Sequence, residues 1–574
     1  MADPPETATE EPGVRPPEER GSVQRLLDGI ERVGNRVPHP AIIFLGLVGL
    51  VIVLSAIMAA VDVSVTYDVV EPPAVEADEE ELGGSDVPET VVPPEDYLEE
   101  ELEVEQQTTE IESLLSADGV RFIFSSFVDN FAGFSVVAVV FVAMIGVGVA
   151  EEAGLMSALI RKLVAVAPAS TLTFIIVFVG GLSSVATDAG YLILIPLGGA
   201  AFLSVGRNPL AGVAAAYAGV SAGFAVNALL TPLDGLLTEI TNEAIALGEP
   251  GRTIDLTANL WFNIASTLFV ALVITAIAQR ITEPGLGAYE GGHDPVDVDE
   301  TGEGPATAVP VVPDASHDEV VGDEPRGLRF ATWGLLAAAA VVTLLTVLPD
   351  APLRNPETGN IFNDSPLMDS LIFIITLLFL VAGICYGIGA RTLTGSVDVI
   401  NAITKTFAGL AGLVFLLLLI SQFIAYFNFS NMPTVVAVKM ADFLEARDIG
   451  ALWLLIGFVI VIVILDVIMP GALPKWAIFA PIFVPLFLRL DVAPQTVLAA
   501  YRIGDSPANV VTPLMVYLPF IVLVAQRYKK DAGIGTIISL MIPYTVIVLI
   551  AWGAFFVVWY LLGIPLGPGY PVDL

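Results

Sequence analysis

The sequence predicts an all-α polytopic membrane protein with nine transmembrane helices and two opposed re-entrant hairpins, arranged as inverted repeats that each contain a broken helix. Three observations predict this class. The 574 residues are 55% hydrophobic with a mean hydropathy of +0.78, a composition typical of chains that cross a bilayer repeatedly. Apolar runs of spanning length recur along the chain, and two further runs are interrupted by Gly, Pro and charge. The pattern of interrupted run followed by broken helix occurs twice.

The elements follow in order. Residues 1–39 are polar and rich in Pro and Glu, and read as a cytoplasmic tail with no signal peptide before the first span. Nine crossings are expected near 40–61, 131–150, 213–235, 257–279, 330–348, 367–388, 403–427, 496–524 and 534–562. The organisation is then two spans over 40–150, a first repeat over 155–280, central spans over 329–427, a second repeat over 433–562 and a tail over 563–574. The interrupted regions, 170–204 and 450–489, break at GGLSSVATDAG (180–190) and DVIMPGALPKW (466–476). A bend exposed to lipid would leave backbone groups unpaired, so each break is expected inside protein or facing water, as the tip of a hairpin. Amphipathic stretches at 119–130, 155–168 and 433–447 read as interfacial helices.

Charge placement tests the topology. With a cytoplasmic N-terminus and both interrupted regions returning to their side of entry, sixteen of the 24 Lys and Arg fall inside, including Arg161, Lys162, Arg280 and the cluster Arg527, Lys529, Lys530. Reading either hairpin alone as a crossing would move that cluster outside. The net charge of −38 sits largely in two loops. Residues 62–118 hold 20 acids and residues 283–324 hold 12, with no Lys or Arg in either block. They read as solvated, unstructured loops, one outside (62–118) and one cytoplasmic (281–328).

The repeat is visible in AAYAGVSAGFAVNALLTPL (215–233) and AAYRIGDSPANVVTPL (499–514): AAY, a Gly/Ser-rich break, Asn, then Thr-Pro-Leu. The predicted topology runs the two copies in opposite directions. Inverted repeats of this kind form a substrate site near the midplane, where half-helix ends attract anions and unwound carbonyls attract cations. A charge at membrane depth costs on the order of 3 kcal/mol even on the mildest scale, which marks Arg502 and Asp505 as candidate site residues. They are three apart, and either form an ion pair across the break or divide two tasks. In the second case Arg502 receives a substrate carboxylate bidentately while Asp505 binds a coupling cation or proton.

The remaining candidates carry paired readings. Asp188 either caps the second half-helix of its hairpin or binds the coupling ion, with Thr187 beside it. Ser183 and Ser184 either meet substrate or satisfy local backbone. Asn227 and Asn509 occupy equivalent repeat positions and either bridge unwound backbone or touch ligand. Thr231-Pro232 and Thr512-Pro513 are expected to open the restarted helices, and Pro494 to set the turn into the second broken helix. Trp476 either stacks on an aromatic substrate or packs the hairpin, and Lys475 either pairs a carboxylate or snorkels. Asp234 is placed near the outer water. Asn428 and Asn431 either line the outer mouth or end a helix.

Other classes fit poorly. The three histidines, His39, His293 and His317, lie outside the spans, which removes the zinc and serine–histidine routes to intramembrane proteolysis. The single cysteine, Cys385, cannot form an intrachain disulfide. A channel wants a continuous pore, and opposed hairpins suit alternating access instead. The chain is expected not to be an enzyme, and no nucleic-acid partner, metal or organic cofactor is expected.

Three blocks carry a resemblance: SSVATDAGYLILIPLGGAAFLSVGRNPLAG (183–212), VNALLTPLDGLLTEIT (226–241) and KWAIFAP…DVAP…AYRIGDSPANVVTPLMVYLP (475–519). With them the chain resembles the p-aminobenzoyl-glutamate transporter (AbgT) family over about residues 25–562. The resemblance implies a homodimer in the plasma membrane in which each protomer has its own pathway. It implies transport of p-aminobenzoyl-glutamate or export of sulfonamide-type antimetabolites, driven by Na⁺ or H⁺. By motif it implies Asp188, Trp476, Pro494, Arg502, Asp505 and Pro513 as site positions, with Na⁺ at Asp188 and Asp505 as one form of coupling. Where the family places a serine in the second tip this chain has Leu473, which removes a hydroxyl there. A cation-coupled importer of dicarboxylates or similar anions shares the hairpin plan and is the alternative.

Overall fold

Long apolar runs become helices because no water in the bilayer core can satisfy an exposed peptide group. The structure is a computed structural model that describes residues 40–70, 104–185, 190–249, 251–289, 323–361, 365–445, 450–469 and 471–574. The first half contains α1 (Pro40–Ala60), the strands β1 (Ser64–Val70) and β2 (Val104–Glu110), α2 (Ala117–Ser125), α3 (Phe127–Ala132), α4 (Ser135–Glu152), α5 (Leu155–Ala165), α6 (Leu172–Leu182), α7 (Ile195–Ser204), α8 (Pro209–Ser221), α9 (Pro232–Ile245) and α10 (Leu260–Ile277). The second half contains α11 (Glu324–Val347), α12 (Leu371–Ala390), α13 (Ser396–Gly409), α14 (Ala411–Phe429), α15 (Met432–Glu445), α16 (Ala451–Ile468), α17 (Ala472–Leu488), α18 (Pro494–Asp505), α19 (Leu518–Gln526) and α20 (Ile534–Leu561).

Among the described residues seven helical stretches are long and apolar enough to cross a membrane: α1, α3–α4, the helix running from Leu260 to Leu286, α11, α12, α14 and α20. They coincide with seven of the nine expected crossings. The other two, 213–235 and 496–524, are each a pair of shorter helices, α8–α9 and α18–α19, as the Gly/Pro breaks require. The crossing expected at 403–427 starts later, because α13 carries the polar Asn401, Thr404 and Lys405 and ends at Gly409, so only α14 is long and apolar enough to cross. The stretches read as interfacial, 119–130, 155–168 and 433–447, are helical as α2–α3, α5 and α15, with α3 running on into the membrane-length stretch that ends in α4.

The chain is mostly helical, and it is the unstructured-loop reading of 62–118 that needs correction. Ser64–Val70 pairs antiparallel with Val104–Glu110, within the block read as an unstructured loop. SVTYDVV is rich in β-branched residues, and that propensity wins at the root of the loop. Val65, Ile111 and Leu114 are buried, and the Leu114 N–H donates to Ser55 Oγ at 3.1 Å, so the loop re-enters the bundle on a fixed anchor. Asn431, at φ +57° in the turn between α14 and α15, donates to Glu110 O at 3.0 Å, which supports its helix-terminus reading. The centres of the two acidic blocks, 71–103 and 290–322, lie outside the described residues.

Two interrupted helix pairs sit where the sequence predicts them, α6 with α7 and α16 with α17. Helices α6 and α7, at 11 and 10 residues, are each roughly 16 Å long, about half the hydrocarbon thickness. Both pack on α8 through glycine. A Cβ on Gly180 would lie 2.8 Å from the Gly219 carbonyl carbon, and one on Gly212 would overlap the Gly198 carbonyl oxygen. Small residues allow such backbone contact in membrane helices. Gly212→Ala is expected to force α7 off α8 at a cost of about 1–3 kcal/mol, read as a lower melting temperature in detergent.

Candidate functional site

The two helix breaks meet each other. Arg502, in the last turn of α18, donates from Nη1 to Ala225 O at 2.6 Å and lies 2.7 Å from Asp234 Oδ1. The Ala225 N–H donates to Ser506 Oγ at 3.0 Å, and Tyr217 OH donates to Asn509 O at 3.4 Å. Unwound backbone groups of the first break are therefore satisfied by the second, which matters because a buried unpaired peptide group is costly. Helix α18 ends at this point because Pro507 has no N–H and disfavours helical backbone before it.

Asp234 has two jobs. It is the third residue of α9, where Thr231 caps the helix and Pro232 occupies its first turn. Its Oδ2 accepts from Thr231 N at 2.8 Å and Thr231 Oγ1 at 2.7 Å, while Oδ1 faces Arg502. The positive end of α9 and the guanidinium both favour the carboxylate there. Asp234 is buried, so its placement near outer water is corrected: the capping box and the salt bridge draw it inward.

The first tip is tied by Asn227. Its Nδ2 lies within 3.2 Å of Gly181 O, Leu182 O and Ser184 Oγ. Ser183 Oγ donates to Gly180 O at 2.6 Å and Ser184 Oγ to Gly181 O at 3.0 Å. All three side chains bridge backbone at this tip. Thr187 and Asp188 lie outside the described residues.

The second tip is ionic. Lys475, four residues into α17, places Nζ against Asp466 Oδ1 of α16 and 2.7 Å from Asp505 Oδ1 of α18. All three side chains are at most 1% exposed. Tyr501 OH lies 2.5 Å from Ala472 O and 3.2 Å from Asp505 Oδ1, and donates to one of them at a time. Thr512 Oγ1 donates to Val467 O at 2.9 Å, and Asn509 Nδ2 donates to Asp505 O at 2.9 Å, closing the last turn of α18. Trp476 is fully buried. Its Nε1 lies 3.0 Å from Thr241 Oγ1 and 3.2 Å from Leu237 O, and its ring centroid is 4.6 Å from that of Tyr501. The first repeat's α9 is thereby fastened to the second repeat's tip.

The structure rearranges several sequence expectations. Arg502 and Asp505 do not pair with each other: each turns to a charge on another element, Arg502 to Asp234 and Asp505 to Lys475. Lys475 does not reach out to water: it is fully buried between two carboxylates. Pro513 does not open a helix. It sits in a turn after Thr512, which is held by Val467, and the helix restarts at Leu518 with Pro519 in its first turn. Pro494 starts α18 and lies roughly 16 Å along it from Asp505, away from the junction. Asp466 and Tyr501 were missed. The signal for Asp466 was an acid inside VIVILDVIMP, as informative at membrane depth as Asp505.

The assembled junction holds three acids (Asp234, Asp466, Asp505) and two cations (Arg502, Lys475), all buried. Among the described residues Arg502 Nε, Asp466 Oδ2 and Asp505 Oδ2 have no hydrogen-bond partner. One donor and two acceptors are thus free to engage a solute or ion.

Comparison with known proteins points the same way. Residues 25–574 match the sequence profile of the AbgT transporter family. The chain is 30% identical over 548 residues to the p-aminobenzoyl-glutamate transport protein of Escherichia coli (strain K12), covering 95% of this chain and 97% of that protein. It superimposes on the crystal structure of the Alcanivorax borkumensis YdaH transporter with a TM-score of 0.78 at 35% identity, covering 92% of this chain and 100% of that one. The match to Neisseria gonorrhoeae MtrF, which represents a class of antimetabolite efflux pumps, has a TM-score of 0.78 at 36% identity and covers 95% of this chain and 100% of that one.

Proposed function

The chain belongs to the AbgT transporter family, and from that premise we propose that it is a secondary active transporter of p-aminobenzoyl-glutamate-like aromatic acids or of sulfonamide-type antimetabolites. It works by alternating access in the plasma membrane as a homodimer with cytoplasmic N-termini, driven by a proton or Na⁺ gradient. The single observation that carries this reading is the Arg502–Asp234 ion pair bridging two helix breaks. A substrate carboxylate competes with Asp234 for the guanidinium, so binding loosens the contact that holds the two repeats together. Differential contact of this kind is what lets a ligand shift a conformational equilibrium.

The other site residues take roles consistent with their places. Asn227, Ser183 and Ser184 present the first tip, Trp476 the second, and Asn509 the break after α18. Pro513 shapes the turn beside them, while Pro494, at the far end of α18, acts on that helix's direction. Asp188, with Thr187, and Asp505 serve cation coupling. The hairpin reading is supported by one contact: Lys475, near the start of α17, lies 2.7 Å from Asp505 at the end of α18, where the second broken helix is interrupted.

The test is transport of labelled p-aminobenzoyl-glutamate and of a sulfonamide by the full chain in proteoliposomes, under separate Na⁺ and pH gradients. Saturable, gradient-dependent flux of either is expected. Flux of neither, with the protein correctly inserted, would remove the substrate assignment.

A further inference from the structure

The Asp466–Lys475–Asp505 cluster is not explained by helix packing. Two carboxylates and one ammonium leave one excess negative charge in a fully buried position. A lone charge in low dielectric is costly, and it is normally neutralised or paired. Lys475 spends its contacts on the inner oxygens, Asp466 Oδ1 and Asp505 Oδ1. The outer oxygens, Asp466 Oδ2 and Asp505 Oδ2, are buried and have no partner among the described residues. Among the described residues no neighbouring cation is available for them. Arg502 on α18 is paired with Asp234 of α9, Tyr501 is a neutral donor, and Lys439 of the adjoining α15 is exposed.

We propose that Asp466, Lys475 and Asp505 form one coupling centre that takes up and returns a single positive charge, a proton or a monovalent cation, with Asp466 as a second coupling carboxylate beside Asp505. This rests on the transporter reading above. If the charge is a proton, an O–H bond forms at one outer oxygen with a proton taken from water on one side, and breaks to water on the other. Lys475 stays charged throughout and keeps the two carboxylates within reach of each other. The three groups lie on α16, α17 and α18, so loading the centre changes the attraction between the second hairpin and the broken helix, the elements that alternating access must move.

The test uses the full chain in proteoliposomes with labelled p-aminobenzoyl-glutamate. Asp466→Asn leaves Lys475 and Asp505 as a neutral buried pair and imitates the loaded centre. It is expected to lose gradient-driven accumulation, whatever rate of tracer exchange between equal concentrations it retains. One proton per cycle supports about tenfold accumulation per pH unit, and that factor should disappear. Wild-type accumulation under a pH gradient assigns the charge to a proton, and under a Na⁺ gradient to sodium. Asp466→Glu, which restores a carboxylate, should accumulate again with a displaced pH or Na⁺ midpoint. Wild-type accumulation by Asp466→Asn overturns the proposal, as does an unshifted midpoint in Asp466→Glu should the Asn variant not fold. Absence of tracer exchange in the wild type would instead count against the substrate assignment. Proton and ²²Na⁺ binding by solubilised protein then decides the matter. The wild type should bind one more charge per chain than Asp466→Asn, and equal binding overturns the proposal.

Discussion

Arg502→Ala is expected to abolish transport and also to reduce the yield of folded protein, an outcome that a simple ligand-contact residue would not produce. The guanidinium is 2% exposed and neutralises Asp234 while donating to Ala225 O. Truncation leaves Asp234 charged, buried and short of its cation. Breaking a buried pair from one side costs about 3–5 kcal/mol, a large share of the 5–15 kcal/mol by which a folded domain is stable. The double variant Arg502→Ala with Asp234→Asn should recover much of that loss, because Asn keeps the cap at the start of α9 and removes the stranded charge. Fluorescence-detected size exclusion would show the recovery, and transport should remain absent in the double variant. Full expression of the single variant would mean that the Arg502–Asp234 contact is not a structural support of the junction. Transport by the double variant would remove Arg502 from the substrate path.

Lys475→Met is expected to be at least as damaging. It keeps the volume and the apolar stem but strands two carboxylates, Asp466 and Asp505, facing one another at zero to 1% exposure. The broken pairs again cost at least about 3–5 kcal/mol, and like-charge repulsion adds to it. The protein should elute as aggregate after extraction. Removing the charges together, as Asp466→Asn, Lys475→Met and Asp505→Asn in one chain, should restore a monodisperse profile without restoring transport, since neutral replacement of a buried ionic group is often tolerated. A monodisperse Lys475→Met single variant would show that the triad is solvated and that its charges do not need one another.

Much of the architecture was legible in the chain because membrane insertion reads each segment by its own composition. The runs at 40–61 and 534–562 are recovered as α1 and α20 within one residue, and that at 330–348 as α11, which starts earlier, at Glu324. The breaks were equally visible: Pro232 and Pro507 remove helical hydrogen bonds wherever they occur. Thr231-Pro232 opens α9 as its sequence indicated, whereas the capping box that draws Asp234 inward came from the structure. Pairing was not legible. The short spacing of Arg502 and Asp505 suggested a pair on one helix, yet both look outward to other elements. Asp466 was passed over as part of a turn signal, although it lies only nine residues from Lys475. The strand pair Ser64–Val70 with Val104–Glu110 was hidden by the acidic composition of the loop that joins it.

By itself the sequence determined which segments are long and apolar enough to cross, where its helices stop and which polar residues lie within apolar runs, because hydrophobic transfer and backbone hydrogen bonding are settled segment by segment. Only the tertiary structure decided which charge answers which: Arg502 with Asp234, and Lys475 between Asp466 and Asp505. Electrostatic energy in a low-dielectric interior depends on separation in space, and residues far apart in the chain become neighbours only once both repeats have folded against each other.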